Sequence, residues 1–119
     1  MNIPNFSVQD YLARTRDYSL ADCFVERLEH RINELQQGLG QDQQLRLTAL
    51  LPLGREILVD WIGYSNPNLV VVDGIDLSSG HRATLLVHQQ TVQLLCLVEK
   101  LEPQKPRRHI GFKHEQDSQ

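Results

Sequence analysis

The chain has 119 residues, of which 40% are hydrophobic and 23% charged, and a formal net charge of -3 at pH 7. This length allows one domain with a single modest core, and the composition is that of an ordinary soluble globular protein. A pI of about 5.9 argues against a protein that coats DNA or RNA polymers. The sequence also lacks the apolar run of ~20 residues that a membrane span requires.

The N-terminal residues show neither the basic nor the apolar stretch of a signal peptide, so we expect a cytoplasmic protein. Cys23 and Cys96 are isolated, one in a helical pattern and one in a strand pattern. We interpret both as buried free thiols in a reducing compartment rather than as a disulfide.

The first third of the chain has the signals of two helices. Ser7 and Ser19 each precede an aspartate by three residues, which is the pattern of a capping box. The first helix is predicted at about residues 8 to 16 and the second at about residues 20 to 37. The second would end at Gly38, where glycine can adopt the left-handed cap conformation. Its apolar face is formed by Leu20, Phe24, Leu28, Ile32 and Leu35.

From Gln44 onward the apolar residues alternate with the period of β-strands. Turn residues separate five candidate strands by short connections, which favour antiparallel neighbours. We therefore predict one α+β domain over residues 1–119, with two N-terminal helices followed by a five-stranded antiparallel meander. The predicted strands are Leu45–Leu51, Glu56–Tyr64, Leu69–Asp76, Arg82–His88 and Val92–Leu101.

The central strands are apolar on both faces. Trp61 alternates in phase with Ile57 and Val59, which predicts that it lies in the core. One face can be covered by the long helix, whereas the other needs either sheet curvature or a second protomer. We therefore expect a homo-oligomer.

Residues 102–114 form a basic C-terminal segment in a chain that is acidic overall. Arg107 and Arg108 could pair with phosphates, and the ring of Phe112 could stack on a base. The alternative is a solvated, loosely ordered end. Against it, Ile110 and Phe112 are apolar anchors that a free tail does not need. The last residues, 115–119, are expected to be disordered.

No catalytic or metal-binding motif stands out. The histidines lack the spacing of metal ligands, and no serine or cysteine has the sequence context of a nucleophile. Asp60, Asp73 and Asp76 could act as general acids or bases or bind a cation, but Asp73 and Asp76 are better interpreted as residues of a strand end and the following turn. Arg55, which opens a strand, is either solvated or part of an anion site. We expect neither a cofactor nor a metal.

Several segments together resemble the first Thoeris anti-defence family of phage proteins. The resemblance covers about residues 44 to 112, and it rests on Tyr64-Ser-Asn66-Pro67, Asp73-Gly, Leu85–His88, Lys100–Pro106 and Arg107–Phe112. Members of that family are sponges. They bind the cyclic ADP-ribose-type signal of a bacterial TIR-domain defence enzyme without cleaving it. Some also hold cyclic oligonucleotides, and their assemblies are built from dimers.

The resemblance implies that Arg55 and Arg107 contact phosphate or ribose and that Gln90 offers its amide to the ligand. Arg108 and Phe112 lie in the matching C-terminal motif. An aromatic stacking residue is expected before the fourth strand, where this chain has His81 and Arg82, either of which could lie flat on a purine. The implied protein is not an enzyme, and it acts in the cytoplasm of an infected bacterial cell.

Two other hypotheses remain open. The first is a small phosphodiesterase that degrades the same kind of signal, with Asp73, Asp76 and His88 as its candidate residues. The second is a protein-binding inhibitor module, which would bind a partner protein and no small molecule.

Overall fold

A computed structural model describes residues 19–113, which form an α+β domain with one helix and a six-stranded sheet. The predicted first helix and the tail at 115–119 lie outside the described residues. The elements are the helix α1 (Ala21–Gln37), a short 3-10 turn (Pro52–Gly54), and the strands β1 (Gln43–Leu50), β2 (Glu56–Ser65), β3 (Leu69–Asp76), β4 (Arg82–His88), β5 (Leu94–Lys100) and β6 (Gly111–Phe112).

The strands are ordered β4-β3-β2-β1-β5, all antiparallel to their neighbours, and β6 pairs with β2. Strands β1 to β4 form the predicted meander. The prediction was wrong for β5, which pairs with β1 instead of β4. This position sets Leu94 and Cys96 beside Ala49 and Leu47, so that the inward residues of β5 extend the buried core.

The sheet is curved. Residues of β4 and of the end of β1 line one cavity of about 210 Å³, whose walls are Leu50, Leu51, Pro52, Leu85, Val87, Thr91 and Val92. The inward side of β4 therefore turns toward the far end of β1, and the five-residue connection after His88 reaches β5. Among the described residues, no helix is long and apolar enough to cross a membrane.

The core lies between α1 and one face of the sheet, which we call the inner face. Val25 and Ile32 of the helix are buried against the middle of the sheet, where Val59, Ile62 and Val72 are fully buried. Burying a side chain of this size stabilises the fold by about 1.5–3 kcal/mol. The opposite, outer face of the sheet carries the charged residues described below.

The β2–β3 turn supports the first turn of α1. The carbonyl oxygen of Pro67 accepts from the N–H of Ala21 at 2.8 Å, and Asn66 Oδ1 accepts from the N–H of Asp22 at 3.0 Å. The cap residue is Leu20, which makes no side-chain cap bond, so the predicted capping box at Ser19 was wrong. The predicted left-handed cap was also wrong, because Gly38 has φ -83° and ψ -1°.

A β-bulge interrupts the pairing of β2 with β3. Val59 lies opposite Gly74 and Trp61 lies opposite Asp73, so Asp60 is an extra residue in β2. The bulge moves Trp61 to the outer face, and its predicted place in the core was therefore wrong. Gly74 makes room for the bulge, because a Cβ added there would lie only 1.9 Å from the carbonyl oxygen of Leu58.

The C-terminal segment docks on the domain. Ile110 is buried in the core and Phe112 packs against it, which confirms their predicted role as anchors. Gly111 and Phe112 form β6, a short parallel partner of Trp61 and Ile62 in β2. This docking brings Arg108 and Lys113 close to the bulge.

Candidate functional site

The bulge in β2 is the point where charged and aromatic side chains from three strands and the C-terminal segment meet on the outer face. We call this group the bulge cluster. Its cationic members are Arg82, Arg108 and Lys113, and its carboxylates are Asp60 and Asp73. The aromatic ring of Trp61 and the hydroxyl group of Thr84 complete it. The cluster thus carries a formal charge of +1 on a chain whose net charge is -3.

Asp60 joins the two arginines. Arg82 Nη1 donates to Asp60 Oδ2, and Arg108 Nη2 donates to Asp60 Oδ1 and, at 3.4 Å, to the carbonyl oxygen of Val59. The side chain of Arg82 is 64% exposed and that of Arg108 is 28% exposed. One carboxylate therefore holds two guanidinium groups in fixed positions, and the more exposed one keeps most of its donors open to solvent.

Arg108 is not fully satisfied within the described chain. Its Nε is buried and has no acceptor among residues 19–113, while its backbone N–H donates to Gln44 Oε1 at 3.1 Å. A buried donor without an acceptor is costly, so this nitrogen lowers the stability gained from the other contacts of Arg108.

Trp61 presents an aromatic surface beside the arginines. Lys113 Nζ lies 3.8 Å from the centre of the Trp61 ring, which is the geometry of a cation–π contact. The ring also lies close to Gly63, where an added Cβ would be 3.3 Å from Trp61 Cζ3. Glycine at this position thus lets the indole approach the sheet closely.

Asp73 and Thr84 complete the group on the neighbouring strands. Thr84 Oγ1 donates to Asp73 Oδ1, and Asp73 lies directly opposite Trp61 across the β2–β3 pair. The carboxylate therefore already accepts one hydrogen bond. Its position limits how far an anion could extend over β3.

Arg55 lies directly before β2, and its side chain contacts the last residue of β3 rather than the bulge cluster. Its Nη2 lies 2.9 Å from Asp76 Oδ2, and Asp76 also accepts from the N–H of Ser78 and from Ser79 Oγ, each at 3.0 Å. The Ser78 N–H, together with Arg55 and Ser79, keeps the pKa of Asp76 below its ordinary value despite its burial. The prediction is confirmed for Asp76, which ends β3 and accepts hydrogen bonds from the turn, but it was wrong for Asp73, which lies inside β3.

The other predicted residues lie in separate places. His81 follows the same turn as Asp76 and is exposed. Gln90 lies in the connection after β4, and its N–H donates to His88 Nδ1 at 3.1 Å. Arg107 Nη2 donates to the carbonyl oxygen of Gly40 at 2.7 Å. Phe112 packs against the core.

Within one chain, two of the seven predicted residues, Arg82 and Arg108, share the carboxylate of Asp60. Two others, Arg55 and His81, both contact Asp76, through its carboxylate and its backbone N–H respectively. His81 and Gln90 flank opposite ends of β4, a strand of seven residues that spans roughly 20 Å at about 3.3 Å per residue. A single ligand of nucleotide size on one protomer cannot contact all seven.

The candidate residues of the phosphodiesterase hypothesis are also spread along the β3–β4 hairpin. Asp76 lies at the end of β3, whereas His88 lies opposite Leu69 at its start. The ionised, fully hydrogen-bonded Asp76 is poorly suited to proton transfer near neutral pH. Within residues 19–113, no group of three or more His, Cys, Asp or Glu side chains could hold a metal ion.

Comparison with known proteins identifies no relative, since no family model, curated protein or solved structure matches this chain.

Sequence analysis did not include Trp61, Asp60 or Lys113 among the predicted ligand-binding residues. The sequence carried no clear signal of the bulge, because Ile57, Leu58 and Val59 are as continuously apolar as Trp61 and Ile62. Bulges redirect side chains near functional sites, and here the bulge is visible only in the pairing of β2 with β3.

Proposed function

We propose that this protein binds an anionic small molecule with a planar ring at the bulge cluster and holds it without cleaving it. The observation that supports this proposal is the convergence of Arg82, Arg108 and Lys113 around the exposed face of a bulge that carries Trp61. Guanidinium groups pair with phosphate oxygens, and an indole stacks on a purine.

The ligand class follows from the resemblance to the first Thoeris anti-defence family. We propose a cyclic ADP-ribose isomer or a cyclic oligonucleotide, sequestered in the cytoplasm of an infected bacterial cell by a homo-oligomeric protein. In this chain Trp61 would take the stacking role that the sequence interpretation gave to His81 or Arg82. Lys113 would move from the ring as the base arrives.

Asp60 gives the proposed site its rigidity. Because its two oxygens are shared by two arginines, the guanidinium groups are positioned before a ligand binds. Side-chain ordering costs about 0.5–1.5 kcal/mol for each long side chain, so positioning them in advance favours affinity.

A retention and recovery experiment tests the proposal. The purified protein is incubated with cyclic ADP-ribose isomers and with cyclic di- and trinucleotides, freed of unbound ligand, heat-denatured, and the supernatant analysed by mass spectrometry. Recovery of an intact ligand supports sequestration. A cleaved product would favour the phosphodiesterase, and no retained ligand would favour the protein-binding module.

Two sets of variants locate the binding site. Arg82→Ala and Arg108→Ala should each reduce retention, whereas Arg31→Ala, on the exposed side of α1, should leave it unchanged. The family resemblance instead implies that Arg107 contacts the phosphate or ribose. If Arg107→Ala abolishes retention while Arg82→Ala does not, the ligand binds at the C-terminal segment and not at the bulge cluster.

A further inference from the structure

Strand β5 is an open edge of the sheet. It pairs with β1 on one side, and no other described strand pairs with it on the other side. The strand is seven residues long, contains no proline, and ends in its only charged residues, Glu99 and Lys100. Natural sheets normally protect such edges with charge, proline or a bulge, because an unprotected edge pairs with other strands.

The side chains along this edge are apolar and exposed. Leu95 is 37% exposed, Leu97 is 47% exposed and Val98 is 55% exposed. The other edge strand, β4, differs: its outward residues are polar except Leu86, since Arg82, Thr84 and His88 occupy the remaining positions. Of these two edge strands in the described chain, β5 is thus the better suited to pair with another strand.

The hydrogen-bonding groups that β5 leaves open can be identified. The N–H of Leu50 donates to the carbonyl oxygen of Gln93, and the N–H of Leu101 donates to the backbone carbonyl oxygen of Asp42. In an antiparallel pair the hydrogen-bonded positions alternate, so Leu95, Leu97 and Glu99 direct their backbone groups toward β1. The backbone groups of the alternate residues point to the open side: Leu94, Cys96, Val98 and Lys100.

We propose that a second copy of this chain pairs with β5 through β5 itself, about a two-fold axis at Cys96. In this register the open backbone groups of Cys96 face those of the partner's Cys96, and Leu94 faces Val98 in a second hydrogen-bonded position. On the outer face, Leu95 of each copy packs on Leu97 of the other copy. All five residues from Leu94 to Val98 then meet apolar or thiol partners.

The neighbouring register is less favourable. An axis at Leu97 would also satisfy the open backbone groups, but it would set Leu95 opposite Glu99 and Leu94 opposite Lys100. Apolar cross-strand pairs stabilise a sheet, and a charge opposite a leucine forgoes that contact. Self-complementarity about Cys96 is also the reason to expect a second copy of the chain, because a two-fold interface uses the same patch on both subunits.

Oxidation with diamide tests the register directly. Residues directly opposite each other at a hydrogen-bonded position have Cα atoms about 5.5 Å apart, within the range of a disulfide. Two Cys96 thiols would give one disulfide, and diamide would accept their two electrons and two protons. Partial burial raises the pKa of Cys96, so the reaction is run above neutral pH.

The expected product is a covalent dimer of twice the 13.7 kDa chain mass, reversed by dithiothreitol. It should form in the wild type and in Cys23→Ser but not in Cys96→Ser. If diamide gives no Cys96-linked dimer while sedimentation shows a dimer, the proposed register is wrong. A wild type that sediments as a monomer at tens of micromolar would overturn the whole inference.

A matched pair of variants tests the surface. Leu97→Asp should raise the dimer dissociation constant by more than about tenfold, because a carboxylate replaces a leucine at two symmetric positions. Leu86→Asp is the control on the other edge strand, where the leucine is 62% exposed. If Leu86→Asp dissociates the dimer and Leu97→Asp does not, β4 is the interface. Circular dichroism confirms that each variant is folded, and diamide cross-linking of the wild type decides the question if one is not.

This inference does not depend on the proposed ligand. A chain that dimerises through β5 and retains no nucleotide would support the interface and contradict the proposed function. A chain that retains a nucleotide and does not dimerise through β5 would support the proposed function and contradict the interface.

Discussion

Arg108 donates to the carboxylate of Asp60, a residue 48 positions earlier in the chain. This contact ties the C-terminal segment to the bulge of β2, and the burial of Ile110 two residues later reinforces it. Because Arg82 donates to the other oxygen of the same carboxylate, three distant parts of the chain meet at one side chain. Stability and the proposed binding are therefore linked at Asp60.

Arg108→Ala should lower the free energy of unfolding by about 1 kcal/mol, because it removes a partly buried, charge-assisted hydrogen bond to Asp60. Arg82→Ala should cost less, about 0.5 kcal/mol, since its side chain is more exposed and solvent screens the pair. Urea unfolding followed by circular dichroism measures both values. A larger loss for Arg82→Ala than for Arg108→Ala would contradict this order.

Gly74→Ala should destabilise the protein severely, by about 3 kcal/mol or more, because the new Cβ would collide with the backbone of Leu58 at the bulge. Gly38→Ala is the matched control. Gly38 has right-handed backbone angles, and an added Cβ would come no closer than 3.7 Å to another atom. The control should be neutral or more stable by about 0.5 kcal/mol. Thermal unfolding compares the two, and equal melting temperatures would refute the described packing.

Asp76→Asn should remove part of the acid sensitivity of the fold. The pKa of Asp76 is lower in the folded chain than in the unfolded chain, so its ionised form favours folding. This contribution is complete above the ordinary value of 3.8 and is lost as the pH falls through the lower folded value. Wild type should therefore unfold at a higher temperature than the variant at pH 7, and the gap should narrow toward pH 2. A gap that is constant with pH would be inconsistent with this assignment.

Asn66→Ala should lower the free energy of unfolding by about 1 kcal/mol, because it removes the acceptor for the N–H of Asp22 in the first turn of α1. Asn66→Asp keeps an acceptor at this position and adds a negative charge near the helix N-terminus, so it should retain most of the stability. Chemical denaturation of the three proteins makes the comparison. Equal losses in both variants would show that the acceptor at position 66 contributes nothing to the free energy of unfolding.

The strand pattern could be predicted where turn residues define both ends. Strands β3 and β4 have the predicted bounds, because Asn66-Pro67 and Ser78-Ser-Gly80 leave little choice of where a strand begins. The pairing of β5 with β1 could not be predicted in the same way. A five-residue connection favours the adjacent strand locally, whereas the burial of Leu94 and Cys96 beside β1 depends on the whole core.

The candidate site was harder to predict than the fold. The sequence indicated that arginines near an aromatic ring would matter, and it included Arg82 and Arg108 among the candidates. It could not show that one inserted residue turns Trp61 outward, because that depends on how β2 pairs with Gly74. It also could not show that Arg55 is paired with Asp76, since this contact joins residues 21 positions apart.

The most direct test of the central claim is a fluorescence titration, because Trp61 is the single tryptophan of the chain. Cyclic ADP-ribose isomers and cyclic dinucleotides are added to wild type, to Arg31→Ala and to the double variant Arg82→Ala/Arg108→Ala. We predict a saturable change in Trp61 emission for wild type and Arg31→Ala, with at least about a tenfold loss of affinity in the double variant. Saturable binding by calorimetry without any change in Trp61 emission, or no binding of any of these ligands, would contradict the claim.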